Sequence, residues 1–308
     1  MKVLVTGGAG FIASHIVDAY VARGHAVTVI DDLSSGRREN VNPKAELMVA
    51  DLRDAATVDA LRGRGFDILN HHAAQIDVRV SVADPAADAE LNIVAALRLF
   101  EAMRNDGVKK IVFASSGGAT YGEPDYAPQD EKHPTRPVSP YGCAKLAIDQ
   151  YLYFYKTVYG TKSVSLRYGN VYGPRQRKDG EAGVIAIFGG AMLDGQTPRI
   201  NGDGRQTRDY VSVHDVVRAN MAASEGELEG IYNVGTGVET SVNQLFDELR
   251  RSIGFDRDAE HGPAKPGEQM RSVLDATKVR TEGGLTPFVT LRDGIAETVA
   301  WLRESTTR

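Results

Sequence analysis

The chain contains very little cysteine: Cys143 is the only one among 308 residues, so no intramolecular disulfide can form. Runs of 18 or more apolar residues are also missing, which excludes a membrane-spanning helix. The N-terminus leads directly into the apolar stretch Val3–Thr6, without the basic and cleavable apolar segments of a secretion signal. We therefore expect a cytoplasmic protein with no membrane partner.

A basic excess is missing as well. The 36 Lys and Arg residues are outnumbered by 41 Asp and Glu residues, which gives a formal net charge of −5. Proteins that bind nucleic acids usually present a basic face, so we expect no nucleic-acid partner. The composition, 42% hydrophobic and 25% charged, is typical of a globular protein with a sizeable core.

Short apolar runs alternate with helical patterns in the first half of the chain. The runs are continuously apolar, which is typical of parallel strands buried on both faces. We predict strands at Val3–Thr6, Ala26–Ile30, Glu46–Ala50, Asp67–Asn70, Lys110–Ser115 and Ser163–Leu166. We predict helices up to about Arg23 and at about Asp54–Arg64, Asp84–Asn105 and Ser139–Tyr159. The expected fold class is α/β, with a doubly wound parallel sheet.

The regular alternation loosens after residue 168. Short elements at Tyr210–Val213 and Ile231–Val234 are expected to rejoin the sheet. We therefore predict a nucleotide-binding domain over 1–168, joined by about 211–236. A smaller α/β substrate domain, interleaved with it, is predicted over 169–210 and 237–308.

A glycine-rich turn, TGGAGFIA, joins the first strand to the first helix. Glycines such as Gly7 and Gly10 let the backbone approach a pyrophosphate, and the helix N-terminus offers free N–H groups. Ala13 occupies the third position of the glycine pattern, where one methyl group is tolerable. The strand-turn-helix context predicts a dinucleotide site.

The second predicted strand is followed by Asp31 and Asp32, and Asp31 lies 24 residues after Gly7. A carboxylate there can accept from the adenosine ribose 2′-OH and would repel a 2′-phosphate. We therefore favour NAD over NADP. Arg37 and Arg38 keep the alternative open, since they could turn towards a phosphate.

Tyr141 and Lys145 are four residues apart, so they are neighbours on one face of a helix. Tyr141 lies 25 residues after Ser116. A phenol that acts as a base near pH 7 needs its pKa lowered by about 3 units, or ~4 kcal/mol. One cation ~6 Å away supplies about 2.8 kcal/mol at an effective dielectric constant of ~20, and a bound NAD⁺ adds a second cation. The group is therefore suited to proton transfer beside a nicotinamide. Cys143, between them, is expected to be buried.

Seven motifs resemble, in order, those of extended short-chain dehydrogenase/reductases, and most closely the UDP-glucose 4-epimerase branch. They are TGGAGFIASH, DDLSSG, HHAAQ, FASSGGATYG, SPYGCAK, RYGNVYGPRQ and GDGRQTRDYV. The resemblance covers nearly the whole chain and implies a Rossmann-type fold with NAD as cofactor. It makes Tyr141 the acid/base, Lys145 its electrostatic partner and Ser116 a hydrogen-bond partner of the sugar O4.

The resemblance also implies two sets of ligand-binding residues. Cofactor contacts are expected from Gly7, Gly10, Phe11, Ile12, Asp31, Asp32, Leu33, Ser35, Gly36, Asp51, Leu52, Ala73, Ala74, Gln75, Asn92, Ser115, Tyr141, Lys145 and Tyr168. Contacts to a UDP-sugar substrate are expected from Ser116, Tyr141, Asn170, Val184, Asn201, Arg208, Glu268 and Arg271. No metal is predicted, because His71 and His72 have no Cys or acidic residues at metal-ligand spacing.

The implied reaction is a transient oxidation that inverts C4 of the hexose through a 4-keto sugar. The family usually forms homodimers through two helices of each subunit, here 84–105 and 139–159. Within the family, Gly169 in place of a common Phe predicts a roomier pocket, and the small Ser272 would admit an N-acetyl group.

Other functions on the same fold stay open at this point. A 4,6-dehydratase usually carries an acidic pair where this chain has Gly117 and Gly118. A UDP-glucuronate epimerase or decarboxylase needs a cation for the sugar carboxylate, which Arg175 or Arg177 could supply. A cofactor-sensing regulator would commonly have lost the Tyr or the Lys, and both are present.

Overall fold

A computed structural model describes residues 1–178, 183–264 and 269–306. The strands are β1 Lys2–Thr6, β2 Ala26–Asp31, β3 Glu46–Val49, β4 Ile68–His71, β5 Lys110–Ser116, β6 Lys162–Tyr168, β7 Asn170–Tyr172, β8 Arg199–Asn201, β9 Thr207–Ser212, β10 Gly230–Val234, β11 Glu239–Ser241 and β12 Glu260–Gly262. The helices are α1 Phe11–Ala22, α2 Ala55–Asp59, α3 Val78–Ala83, α4 Pro85–Ala89, α5 Ala96–Asn105, α6 Gly117–Tyr121, α7 Pro140–Tyr159, α8 Val184–Leu193, α9 Val213–Glu225, α10 Val242–Ile253, α11 Thr277–Gly283 and α12 Leu291–Thr306. Among these helices, none is both long and apolar enough to cross a bilayer.

Seven strands form a parallel sheet in the order β10-β6-β5-β4-β1-β2-β3. Helices cover both faces, because successive strand residues point to opposite sides. Val3 and Val5 of β1 pack with Ile16 and Tyr20 of α1, whereas Leu4 belongs to the core cluster on the other face. The predicted doubly wound α/β sheet is thereby confirmed.

The expectation that Tyr210–Val213 rejoins this sheet was wrong. β9 lies in a separate three-stranded sheet, parallel to β7 and antiparallel to β11, and Val213 already begins α9. The reason is that β10 pairs with β6 along its full length, from Gly230 opposite Val164 to Val234 opposite Tyr168. The outer edge of β6 is therefore occupied.

Two predicted helices are interrupted. The helix expected over 54–64 ends at Asp59, and the chain then turns through Gly63 and Gly65, both at positive φ. The helix expected over 84–105 begins with Pro85, capped by the Asp84 side chain, and contains a π-helical stretch at Glu90–Ala95. Such single-turn widenings are frequent at functional sites.

A third core cluster lies outside the large sheet. It joins α8, α10 and α12 around Phe188, Phe246, Leu249 and Ile295. A two-stranded parallel sheet of β8 and β12 adjoins this region. The C-terminal part of the chain thus has a hydrophobic core of its own.

Candidate active site

A cleft of about 690 Å³ runs along the carboxyl ends of the parallel strands. This edge is where ligands bind in open α/β sheets. The predicted site residues that line it are Gly7, Gly10, Phe11, Ile12, Asp31, Asp32, Ser35, Asp51, Leu52, Ala73, Ala74, Ser115, Ser116, Tyr141, Lys145, Tyr168 and Asn170. Residues that lie far apart in the sequence therefore share one elongated site.

The glycine turn at the start of the cleft has no space for side chains. Gly7 has a φ of 69°, and a Cβ there would lie 2.8 Å from the backbone nitrogen of Ala73. Gly10 precedes α1 and provides no side-chain cap. The N–H groups of the first turn of α1 lack intrahelical acceptors and face the ligand position, as an anion site requires.

Asp31 is the last residue of β2, and it accepts a hydrogen bond from the glycine-rich turn. Its Oδ2 accepts from the Ala9 N–H at 2.9 Å, and its Oδ1 accepts from the Leu33 N–H at 2.9 Å. Burial raises the pKa of this carboxyl, and the two N–H groups oppose that shift. Each oxygen keeps a second lone pair that a ribose hydroxyl can use. Asp31 is thus both a structural acceptor and a cofactor-facing one.

We expect Asp31→Asn to bind NAD about 10–100-fold more weakly, because it loses a charged acceptor worth about 1.5–3 kcal/mol. The preference for NAD over NADP should narrow as well, since the repelling charge is gone. Titration calorimetry with both dinucleotides measures the two effects. Asp32→Asn is the comparison: among the described residues Asp32 accepts only from the N–H and hydroxyl of Ser34, in an exposed turn, so the loss of affinity should be smaller. Equal losses for both variants would contradict the role given to Asp31.

Tyr141 and Lys145 lie on the first turns of α7. Ser139 caps this helix by accepting from the Gly142 N–H at 3.1 Å, and Pro140 occupies the first helical position. Lys145 is 4% exposed and donates from Nζ to the Ala114 carbonyl at the end of β5, at 2.9 Å. Its Nζ lies 5.6 Å from the centre of the Tyr141 ring. The helix therefore fixes a cation beside the phenol.

Burial dominates the electrostatics of this cation. It lowers the pKa of Lys145 to about 8, although Asp149 and Asp88 oppose the shift. The ammonium in turn helps to keep the two neighbouring histidines neutral: burial, and then Lys145, lower the pKa values of His71 and His72 to about 3. At pH 7 the buried Lys145 cation and the uncharged imidazole of His72 therefore border the cleft, and the uncharged imidazole of His71 lies within β4.

Ser115 and Ser116 end β5 opposite Lys145. The Ser115 hydroxyl is buried without a partner among the described residues, so its oxygen is available to a ligand in the cleft. Ser116 accepts from the Ala119 N–H at 3.3 Å and keeps its own proton for donation. Together with the open glycine turn, these groups fit a dinucleotide whose nicotinamide end reaches Tyr141.

Some predicted cofactor residues do not line the cleft. Asn92 uses its whole amide internally: Oδ1 accepts from Gln75 N–H, and Nδ2 donates to the Gln75 carbonyl and to Asp88. Leu33 has a φ of 59° and donates its N–H to Asp31, while Gly36 packs against the Asp31 carboxylate. These residues shape the walls of the cleft from behind.

The predicted substrate residues are spread over the C-terminal half of the chain. Val184 begins α8, Asn201 ends β8 and Arg208 lies in β9. Arg271 forms an ion pair with Glu239. None of these four lines the cleft. Glu268 lies outside the described residues.

Two residues from the resemblance have clear surroundings. Gly169 lines the cleft, but a Cβ there would lie 2.8 Å from the Asp209 carbonyl, so the missing side chain makes room for β9. Ser272 is 3% exposed and lies beside Gly118, where an added Cβ would be 3.5 Å from the serine oxygen.

The expectation that Cys143 is buried was wrong, because it lies on the exposed side of α7.

Sequence reasoning missed several residues of the cleft. Arg175, considered above only as a contact for a sugar carboxylate, has a φ of 68°; its Nη2 pairs with Asp18 at 2.7 Å, while its buried Nη1 has no partner among the described residues. His72 had been considered only as a metal ligand. The remaining lining residues without a predicted role include Ala9, Ile30, Ser34, Asn40, Ala50, Ile76, Leu91, Val171 and Gln176. Most are apolar or contribute backbone, and their types alone give no signal.

Comparison with known sequences decides the family. Residues 3–235 match the NAD dependent epimerase/dehydratase family, which is most of the chain. The chain belongs to this family. The resemblance seen in the motifs is therefore confirmed, and NAD is the cofactor that the family name implies.

Relatives within the epimerase/dehydratase family extend the match to the C-terminus. The UDP-glucose 4-epimerase of Mycolicibacterium smegmatis is 45% identical over 98% of this chain and 99% of its own. The UDP-glucose 4-epimerase of Thermotoga maritima, solved with UDP-glucose, superposes with a TM-score of 0.97 at 44% identity, covering 99% of this chain and 100% of that one. The Thermus thermophilus UDP-glucose 4-epimerase, solved with NAD, has a TM-score of 0.92 at 46% identity, covering 98% and 99%.

Proposed function

We propose that the protein is an NAD-dependent UDP-glucose 4-epimerase, an isomerase that interconverts UDP-glucose and UDP-galactose through a transient 4-keto sugar. The observation that carries the proposal is the placement of Tyr141 and Lys145 beside Ser116 in the NAD cleft. Full-length relatives at 44–46% identity bear this name.

Each catalytic residue has a distinct task. Tyr141 takes the proton from the sugar O4 and later returns it, while the Lys145 cation stabilises the phenolate. Ser116 donates its hydroxyl proton to O4 and orients it. NAD, when bound, supplies the hydride acceptor and donor. The sugar must turn between the two hydride transfers, so the chain has to hold the nucleotide and leave the hexose free.

The nucleotide is assigned to the C-terminal core. In this proposal Asn170 holds the nucleotide sugar at the mouth of the cleft, and Arg208 binds the diphosphate. Val184, Asn201, Glu268 and Arg271 complete the substrate site. The chain then divides into a cofactor domain, 1–168 with about 211–236, and a substrate domain, 169–210 with 237–308. The third core cluster around α8, α10 and α12 supports this division.

A coupled assay tests the function. Purified protein is incubated with UDP-galactose, and any UDP-glucose formed is oxidised by a UDP-glucose dehydrogenase while its NADH is recorded. Steady NADH production is expected. Parallel assays with UDP-N-acetylglucosamine and UDP-glucuronate, followed by chromatography, cover the alternatives. No conversion of any of the three would overturn the epimerase proposal.

Two observations weigh against the competing reactions. A dehydratase base is missing at the expected place, because Gly117 packs against Leu274 and Gly118 faces Ser272. A glucuronate-binding role for Arg175 competes with its ion pair to Asp18. The two glycines therefore provide no carboxylate for a dehydratase, and the ion pair leaves only part of the Arg175 guanidinium for a sugar carboxylate.

The homodimer is also a proposal, and the exposed side of α7 supports it. Tyr151, Phe154 and Val158 follow one another at helical spacing and are 41%, 40% and 58% exposed. The valines of α3, a helix that packs against α7, are exposed as well. By contrast, α5 buries Leu99, Phe100 and Met103 within the monomer. We therefore assign most of the interface to α7.

A cytoplasmic location is proposed as well, because the chain has a single cysteine.

We expect Val158→Glu to weaken the dimer at least ~10-fold, because it places a charge in an apolar interface. Light scattering coupled to gel filtration over a concentration series measures the effect. Ile187→Glu, at a 43% exposed position of α8, is the matched control and should keep the dimer. If both variants retain the mass of the wild type, the interface lies elsewhere.

A further inference from the structure

His72 has an unusual position in the cleft. It follows β4, and its backbone N–H donates to the Thr6 hydroxyl at 3.2 Å. Its ring lies against the Tyr168 ring, with centroids 6.0 Å apart and planes inclined by 25°. Nε2 contacts the Tyr168 hydroxyl at 3.1 Å. Nδ1 is buried without a partner among the residues that the structure describes, although the side chain borders the cleft.

The hydrogen bonds around Tyr168 fix which imidazole nitrogen carries the proton. Asn220 contacts the Val216 carbonyl at 2.8 Å, and a carbonyl only accepts, so the amide nitrogen must point there. The second hydrogen of that nitrogen goes to the Tyr168 oxygen, also at 2.8 Å. The Asn220 oxygen accepts from Asn70 at 3.1 Å, which agrees with this orientation. Tyr168 therefore accepts from Asn220 and donates its own proton to His72 Nε2.

The protonation state of His72 follows from its surroundings. Burial and the nearby Lys145 ammonium hold its pKa at about 3, and no acidic side chain of the described residues contributes to the shift. The ring is thus neutral and carries one N–H group. Because Nε2 accepts from Tyr168, that group is Nδ1–H. A buried donor without an acceptor costs about 1–3 kcal/mol, so a bound ligand that supplies the acceptor gains affinity.

The location of the ring identifies the ligand group. His72 lies between the glycine turn after β1, where the pyrophosphate is expected, and the ends of β5 and β6, where Ser116 pairs with Tyr168. This is the nicotinamide half of the cleft. We propose that His72 is a further cofactor-binding residue, whose neutral Nδ1–H donates to an oxygen of the nicotinamide half of the dinucleotide. The inference rests on the NAD site but not on the sugar that is epimerised.

Two near-isosteric variants separate the roles of the imidazole nitrogens. The amide nitrogen of an asparagine can occupy the place of Nδ1, whereas a glutamine amide reaches the place of Nε2. We expect His72→Asn to bind NAD within about 3-fold of the wild type. His72→Gln and His72→Phe should bind it about 10-fold more weakly, as expected for a lost donor to a ligand. Calorimetric titration of cofactor-stripped protein with NAD, without UDP-sugar, gives the affinities, and circular dichroism confirms that each variant is folded.

Nitrogen-15 NMR of histidine-labelled protein provides the second measurement. The His72 signals, assigned by their loss in His72→Phe, should show a protonated Nδ1 between pH 5 and 8. The Nδ1 proton should move downfield when NAD binds. Equal affinities of the Asn and Gln variants, or a protonated Nε2, would overturn the proposal even if epimerase activity is normal. Conversely, a clear difference between Asn and Gln in a protein that epimerises nothing would overturn only the proposed function.

Discussion

Tyr141→Phe is expected to lower kcat by at least ~10²-fold, because general acid–base catalysis is typically worth 10²–10⁴-fold. The phenylalanine ring keeps the volume at the start of α7 and removes only the hydroxyl group that is proposed to exchange a proton with O4. Binding of NAD should remain, since Asp31, Ser115 and the glycine turn are unchanged. The measurement is the coupled assay with UDP-galactose, together with the NAD content of the purified variant.

Tyr153→Phe is the matched control for this substitution. Tyr153 lies on the same helix, is 69% exposed and does not line the cleft. It should retain the rate of the wild type. A Tyr141→Phe variant with normal kcat and full NAD content would assign the proton transfer to another group.

The sequence predicted the main sheet well because its signals are local. β1, β2 and β5 are continuous apolar runs, and each is followed by turn or helix residues that end it within a residue or two of the predicted end. β9 could not be placed in the same way, because its position depends on β10 occupying the outer edge of β6. The strands could be predicted from their own residues, whereas the sheet to which β9 belongs depends on pairing between distant parts of the chain.

The candidate site, too, could be predicted from the sequence only in part. Tyr141, Lys145 and Ser116 could be associated from motif spacing, since parallel strands end at one edge. The internal use of the Asn92 amide could not be foreseen, because it requires the turn at Gln75 and the widened helix to meet. His72 was missed for a similar reason. Its role depends on Tyr168 and on Asn220, which lies in a helix far along the chain.

Lys145→Met is expected to lower kcat by about 10²-fold and, at the same time, to stabilise the cofactor-free protein. The Nζ cation, 5.6 Å from the Tyr141 ring centre, is worth about 3 kcal/mol to the phenolate at an effective dielectric constant of ~20. Its burial lowers the pKa from 10.5 to about 8, which corresponds to about 3 kcal/mol of folding free energy at neutral pH. The lost hydrogen bond to Ala114 offsets about 1 kcal/mol of this gain.

The pH dependence distinguishes this explanation from a general effect on packing. Between pH 8 and 10.5 the unfolded chain binds the lysine proton and the folded protein does not, so the burial cost of the wild type declines as the pH rises. The stability advantage of Lys145→Met should therefore be largest below pH 8 and shrink towards pH 10.5, as measured by urea unfolding of cofactor-free protein. Lys110→Met is the control for activity: its Nζ donates to the Ala223 and Gly226 carbonyls and does not line the cleft, so its removal should leave kcat unchanged. If Lys145→Met were less stable than the wild type at pH 7, the buried cation would be a structural support of the fold, and its catalytic role would have no stability cost.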